Sequence, residues 1–404
     1  MIGISKLYCG TVEPSDAIRY GRKSQQLPSH LLQFSIDKKP VVVWNSTRRC
    51  NLKCVHCYSH SKDLDYKGEM STEEAKRFID GLAEFGVPVL LFSGGEPLLR
   101  KDLFELIAYT RGKGIRAVIS TNGTLITEDT AKKLGDAGLS YVGVSIDGLK
   151  TIHDKFRGVD GAFEKALAGI RASRKAGVKV GLRFTINKVN VADVPGVFNL
   201  LETEEIPRIC FYHLVYTGRA AEMIEHDLDH EKSRETVDLI INETDRLHKK
   251  GFPAEVLTVD NHCDGVYLYL RMLGEKSPRA EKVLDLLQMN GGNSSGVGIS
   301  SVSWDGSVYP DQFWRHYSVG NVREKSFGEI WTNPEEPLLV GLRDRKKLLK
   351  GKCGRCVWQD LCNGNFRVRA EAIHNDVWAE DPACYLTEKE ITTRVTAEEM
   401  SHRI

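Results

Sequence analysis

Beyond Pro40 the apolar positions fall into short runs separated by longer amphipathic stretches. Residues 41–44, 89–92, 117–120, 141–146, 178–186 and 209–214 are almost uniformly apolar, as in strands covered on both faces. Between them lie helical patterns. Ser71-Thr-Glu-Glu74 is a capping box opening a helix that runs to about Phe85 and stops near Gly86. Others are expected at 103–111, 127–137, 162–176 and 194–205. Six strands alternating with five helices predict a parallel sheet with right-handed crossovers. Six units suit an open barrel better than a closed one of eight. The expected fold class is therefore α/β, a partial (β/α)6 TIM-like barrel with ligands at the carboxyl ends of its strands.

The pattern changes after about residue 217. Amphipathic helices are expected at 233–249 and 280–289, and the glycine-rich stretch 289–298 reads as a module boundary. The expected organisation is an N-terminal extension (1–38), the partial barrel (39–217), a helical linker region (218–290) and a small C-terminal module (291–404). Across 404 residues, 56 lysines and arginines nearly cancel 55 aspartates and glutamates. That balance excludes a global basic field, so no nucleic-acid partner is expected. The N-terminal stretch lacks a signal-peptide pattern and the apolar runs are too short to span a bilayer, so no membrane partner is expected and the location should be cytoplasmic. In that reducing compartment, clustered cysteines argue for metal rather than disulfides.

Seven of the ten cysteines cluster. Cys50-x3-Cys54-x2-Cys57 follows the first strand. Three thiolates at that spacing hold three corners of an iron–sulfur cubane and leave one iron open; zinc, with His56 or His60 as a fourth ligand, is the alternative. Cys353, Cys356, Cys362 and Cys384 form a complete set of four, for which a zinc ribbon is the alternative. Cys210, Cys9 and Cys263 are expected to be structural. Ser93-Gly-Gly-Glu-Pro97 follows the second strand. Its glycines permit close backbone approach, and Glu96 is placed to accept from an amine.

The three-cysteine loop after strand one and Gly94-Gly95-Glu96-Pro97 after strand two closely resemble the radical S-adenosylmethionine (SAM) enzymes. The resemblance implies a SAM-ligating 4Fe-4S cluster on Cys50, Cys54 and Cys57, and chemistry through a 5′-deoxyadenosyl radical. It implies SAM contacts at Gly94, Gly95, Glu96 and Pro97. It extends to Asn122, to Ser145 and Asp147 in Ser145-Ile-Asp147-Gly148, and to Arg157, matching an arginine that reaches the SAM carboxylate. The second cysteine group resembles the SPASM-type module and implies one auxiliary 4Fe-4S cluster on Cys353, Cys356, Cys362 and Cys384. Fuller relatives carry a second auxiliary cluster, but the hairpin Ser301-Val-Ser-Trp304-Asp-Gly-Ser-Val-Tyr-Pro-Asp311 has no cysteine.

Within the family the chain is similar to the haem-biosynthesis branch. The opening Met1-Ile-Gly-Ile-Ser-Lys-Leu-Tyr-Cys-Gly, Phe211-Tyr-His-Leu-Val-Tyr-Thr-Gly218 and Asp311-Gln-Phe-Trp-Arg-His316 carry that likeness. It implies an iron tetrapyrrole substrate and a low-potential electron donor such as ferredoxin or flavodoxin. A flat apolar plate with carboxylates at its rim needs aromatic surface, basic residues and an axial ligand. Tyr212, His213 and Arg219 are expected to supply these from the sixth strand, and Arg315 and His316 from the C-terminal module. A peptide-modifying radical enzyme and a metal-binding scaffold are the competing classes.

Overall fold

The computed structural model describes residues 1–12, 16 and 39–394. Its strands are β1 (Ile2–Gly3), β2 (Val41–Thr47), β3 (Val89–Gly94), β4 (Arg116–Thr121), β5 (Val142–Ser145), β6 (Val180–Thr185), β7 (Arg208–Tyr212), β8 (Glu255–Val259), β9 (Ile299–Val302), β10 (Ser307–Tyr309) and β11 (Gly320–Asn321). The six strands read from the apolar runs are β2 to β7, paired in chain order and parallel. Helix Thr72–Phe85 forms as its pattern dictates. Ser71 Oγ accepts from the Glu74 amide at 3.2 Å, Glu74 returns the bond, and Gly86 ends the helix in the left-handed region. Its buried face of Ala75, Phe78, Ile79 and Leu82 packs on the sheet, with Phe78 edge-on to Trp44 of β2.

The sheet is wider than expected. The 218–290 stretch, read as a helical linker, contains β8, which pairs in parallel with β7 and is buried throughout. Its five residues sit between helices His230–Lys249 and Ala280–Asn290, whose periodicity conceals a run that short. At the opposite edge β9 pairs in parallel with β2, Val41 opposite Ile299, and brings antiparallel β10 and β11 with it. The order is β1-β8-β7-β6-β5-β4-β3-β2-β9-β10-β11. The expected boundaries at 217 and 290 thus fall within one open sheet. The N-terminal stretch also joins it, since β1 pairs antiparallel with β8; residues 13–15 and 17–38 of that expected extension lie outside the described residues.

A buried ion pair ties the C-terminal module to the sheet. Arg369 and Asp381 are fully buried, with Nε to Oδ1 at 2.8 Å. Arg369 also donates to the carbonyls of Leu214, just after β7, and Asp260, just after β8, both at 2.9 Å. Burial would raise the Asp381 carboxyl, but Arg369 outweighs it and holds it below its ordinary range. Asp381→Ala strands the Arg369 charge and is expected to cost about 3–5 kcal/mol in urea unfolding. A carboxyl depressed in the folded state stabilises above its ordinary pKa of about 4 and loses that contribution as pH falls below it. Below pH 4 the gap between parent and variant should therefore narrow.

Candidate active site

Loops and strand ends at the carboxyl side of β2 to β8 converge on one cleft of about 1090 Å³ that opens to solvent. Cys50, Cys54 and Cys57 line it from the loop after β2, Gly94 and Gly95 from β3, Asn122 from β4 and Ser145 from β5. Tyr212 and His213 line it from β7, and Gln312 and Phe313 reach it from the C-terminal module.

The glycines are needed because backbone meets backbone. Gly95 donates to the Thr47 carbonyl and Glu96 to that of Arg49, both at 2.8 Å. A Cβ on Gly94 would lie 2.2 Å from Thr47 O, and one on Gly95 2.2 Å from Arg49 O. Gly94 also has φ +137°. The turn after β3 therefore sets the start of the cysteine loop. Glu96 does not line the cleft. Buried beneath the turn, it accepts from Leu98 N at 3.1 Å, Thr121 Oγ1 at 2.7 Å and Asn122 N at 2.8 Å. Burial pushes it up to about 6, against those three donors. Pro97 is also buried and opens the short turn Pro97–Leu99.

Asp147 lies behind the wall of the cleft. Its carboxylate pairs with Arg157, faces His56 Nε2 at 3.6 Å and accepts from Thr185 N at 2.7 Å. Arg157 reaches onward to Cys54 Sγ at 3.4 Å and lines the cleft. Burial opposes its charge, but Asp147 and Cys54 outweigh burial and raise it. His56, stacked on Phe156, is pushed down to about 4, chiefly by burial, and is neutral at pH 7. Asp147 thus positions Arg157 rather than facing the cleft.

The expected substrate residues divide. His213 Nε2 is held by Asp264 at 2.9 Å, and Asp264 also accepts from Tyr385. Burial would lower this imidazole; Asp264 outweighs it and raises it. Arg219 is not at the cleft surface: it donates to Cys54 O at 2.7 Å and Ser61 O at 3.1 Å, clamping the cysteine loop. Arg315 bonds Ser303 and stacks over Trp304. His316, half-exposed, pairs with Glu371 at 2.8 Å. Neither Arg315 nor His316 lines the cleft; the aromatic run that suggested them leaves the cleft after Phe313, with Trp314 buried in the core of the C-terminal module.

Two residues at the cleft carry no motif and were not singled out: Arg183 on β6 and Asp260 after β8. Both also line a second cavity against the inner face of the sheet. Only the topology brings them together. Cys263 is a third case. Expected to be isolated, it is buried beside Cys384, which it holds below its ordinary value.

Cys353, Cys356, Cys362 and Cys384 converge on a small pocket of about 340 Å³. Arg367 donates to Cys353 Sγ at 3.6 Å and the Trp358 amide to Cys356 Sγ at 3.4 Å. All-thiolate sets with donors aimed at the sulfurs suit iron–sulfur clusters. Cys50, Cys54 and Cys57 with Arg157 would hold one, and the other four cysteines a second.

Comparison with known proteins gives the class. The radical SAM superfamily profile matches residues 44–201, and the SPASM iron-sulfur cluster-binding domain matches 296–357. The chain belongs to the radical SAM superfamily, with a SPASM-type module, and SAM and two iron–sulfur clusters are its cofactors. It is 66% identical over 394 residues to Fe-coproporphyrin III synthase of Methanosarcina barkeri, covering 97% of this chain and 99% of that one. It is 43% identical to Pre-heme d1 synthase of Dinoroseobacter shibae, covering 90% and 91%. Among solved structures, anSMEcpe with bound AdoMet shares the fold at TM-score 0.65 and 23% identity, covering 85% of this chain and 93% of that one. Among the described residues no helix is long and apolar enough to cross a membrane.

Gly95→Ala drives its new methyl into the Arg49 carbonyl and is expected to displace the cysteine loop. Reconstituted protein should retain its helical circular dichroism but hold roughly four fewer irons per chain, the content of one cluster. Full iron content would contradict the bracing role of this turn.

Proposed function

We propose that this protein is a radical SAM enzyme of haem biosynthesis that removes two acetate side chains from 12,18-didecarboxysiroheme to give iron-coproporphyrin III. The observation carrying this reading is the near-complete, 66% identity to Fe-coproporphyrin III synthase, joined to a cleft that continues into a second, larger cavity. The cluster at Cys50, Cys54 and Cys57, when bound, supplies the electron that cleaves SAM. In this reading the electron comes from a low-potential donor of the ferredoxin or flavodoxin kind.

The chain's own residues bind and orient. Backbone at Gly94 and Gly95, with Asn122, Ser145 and Arg157, borders the SAM end of the cleft. Glu96, Pro97 and Asp147 brace that border from behind. The tetrapyrrole lies deeper, against Tyr212 and Phe313. His213 is the axial ligand of its iron: Asp264 holds Nε2, leaving Nδ1 for the metal, and a carboxylate behind a ligating imidazole fixes its orientation. Arg219, Arg315 and His316 serve structure instead.

Anaerobically reconstituted, reduced enzyme incubated with SAM and 12,18-didecarboxysiroheme should give a product lighter by two acetate-derived units. An unchanged substrate mass refutes the assignment. His213→Ala should weaken substrate binding about tenfold or more, on the scale of second-shell and ligand losses at metal sites, and shift the substrate's absorption bands. Unshifted bands would remove His213 as the ligand.

A further inference from the structure

The two cavities meet at a ring of side chains shared by both: Val43, Leu91, Arg183, Tyr212, Asp260 and Gln312. Polar groups in this throat are unusually short of partners. Arg183 lies over the Tyr212 ring at 4.5 Å and has no hydrogen bond or ion pair among the described residues. Arg208, on the next strand and in the same lumen, is neutralised by Glu255 at 3.0 Å. A Cβ on Gly143 would come within 3.0 Å of Arg183 Cδ, so the neighbouring strand leaves room for this stem. Asp260, fully buried at φ +66°, has an Oδ2 with no partner. Burial pushes its carboxyl up to about 7, and no hydrogen bond or ion pair joins it to Arg183.

A half-buried guanidinium with no protein carboxylate bonded to it is a ready partner for a ligand's carboxylate. Its planar fork matches a carboxylate, and stacking on Tyr212 holds that fork in place. Val43 and Leu91 flank it in the throat, with Val118 and Val259 on the inner-cavity side. Resting on the function proposed above, we propose that Arg183 anchors a peripheral carboxylate of the tetrapyrrole at the throat between the SAM end of the cleft and the inner cavity. This arm is thereby held at the throat, while the ring lies on the cleft side against Tyr212 and Phe313, where His213 also lines the wall.

The test uses full-length reconstituted enzyme titrated with 12,18-didecarboxysiroheme, as free acid and as its methyl ester, followed by absorbance. The parent should bind the acid about tenfold more tightly than the ester, the scale of one charge-assisted pair. Arg183→Gln should weaken the acid by about that factor, leave the ester unchanged and so erase the preference. Equal acid affinity in parent and variant would overturn the anchor while leaving the proposed reaction standing. A parent that binds neither form would overturn the proposed function and the anchor with it. Should Arg183→Gln fail to hold iron, Arg183→Lys replaces it. Lysine keeps the charge but not the fork, so the acid should bind several-fold more weakly than to the parent, and parental affinity would count against the anchor.

Discussion

The close backbone contact between the Gly94–Gly95 turn and residues 47–49 governs the geometry of this site. Two amide-to-carbonyl bonds and the absence of two side chains bring the end of β3 against the start of the cysteine loop. Glu96 then carries that position to the end of β4 through Thr121 and Asn122. Asp147 and Arg157 carry it from β5 to Cys54. Strand ends therefore fix the start of the cysteine loop and Cys54, while Cys50 and Cys57 also bond within the loop. This is how a loop without regular structure can present three sulfurs in a set arrangement.

Much of this was legible in the chain. Short apolar runs marked β2 to β7, because strands covered on both faces cannot alternate, and spacing alone separated the two cysteine groups. The glycines of Gly94–Pro97 were legible as a site of close approach, though the partner in that approach is the cysteine loop's own backbone. β8 was hidden by its brevity between two helices. Arg183, Asp260 and Cys263 were illegible for a different reason: none has a sequence neighbour that shares its task. Arg219, Arg315 and His316 stand in other contacts here, because basic and aromatic residues beside a strand end suit a loop clamp or a surface pair as well as a ligand.

The C-terminal module is more than a carrier of cysteines. Arg369 binds the carbonyls that follow β7 and β8, next to His213 and Asp260. Asn365 reaches the same region, accepting from His262 N at 2.6 Å and donating to Asn261 at 2.6 Å. The helix Arg367–His374 that carries Arg369 begins five residues after Cys362. Ligand set and cleft wall are thus joined by buried polar bonds, which transmit displacement because each is costly to leave unmade.

The parallel pairing of β2 with β9 has a consequence for how the protein is made. β2 carries the cysteine loop at its carboxyl end, yet one of its two neighbours is encoded far downstream, at residues 299–302. During synthesis β2 can pair only with β3, and its other edge stays open until β9 has left the ribosome. Long-range pairing of this kind closes late. The scaffold around the first three sulfurs is therefore complete only after most of the chain exists.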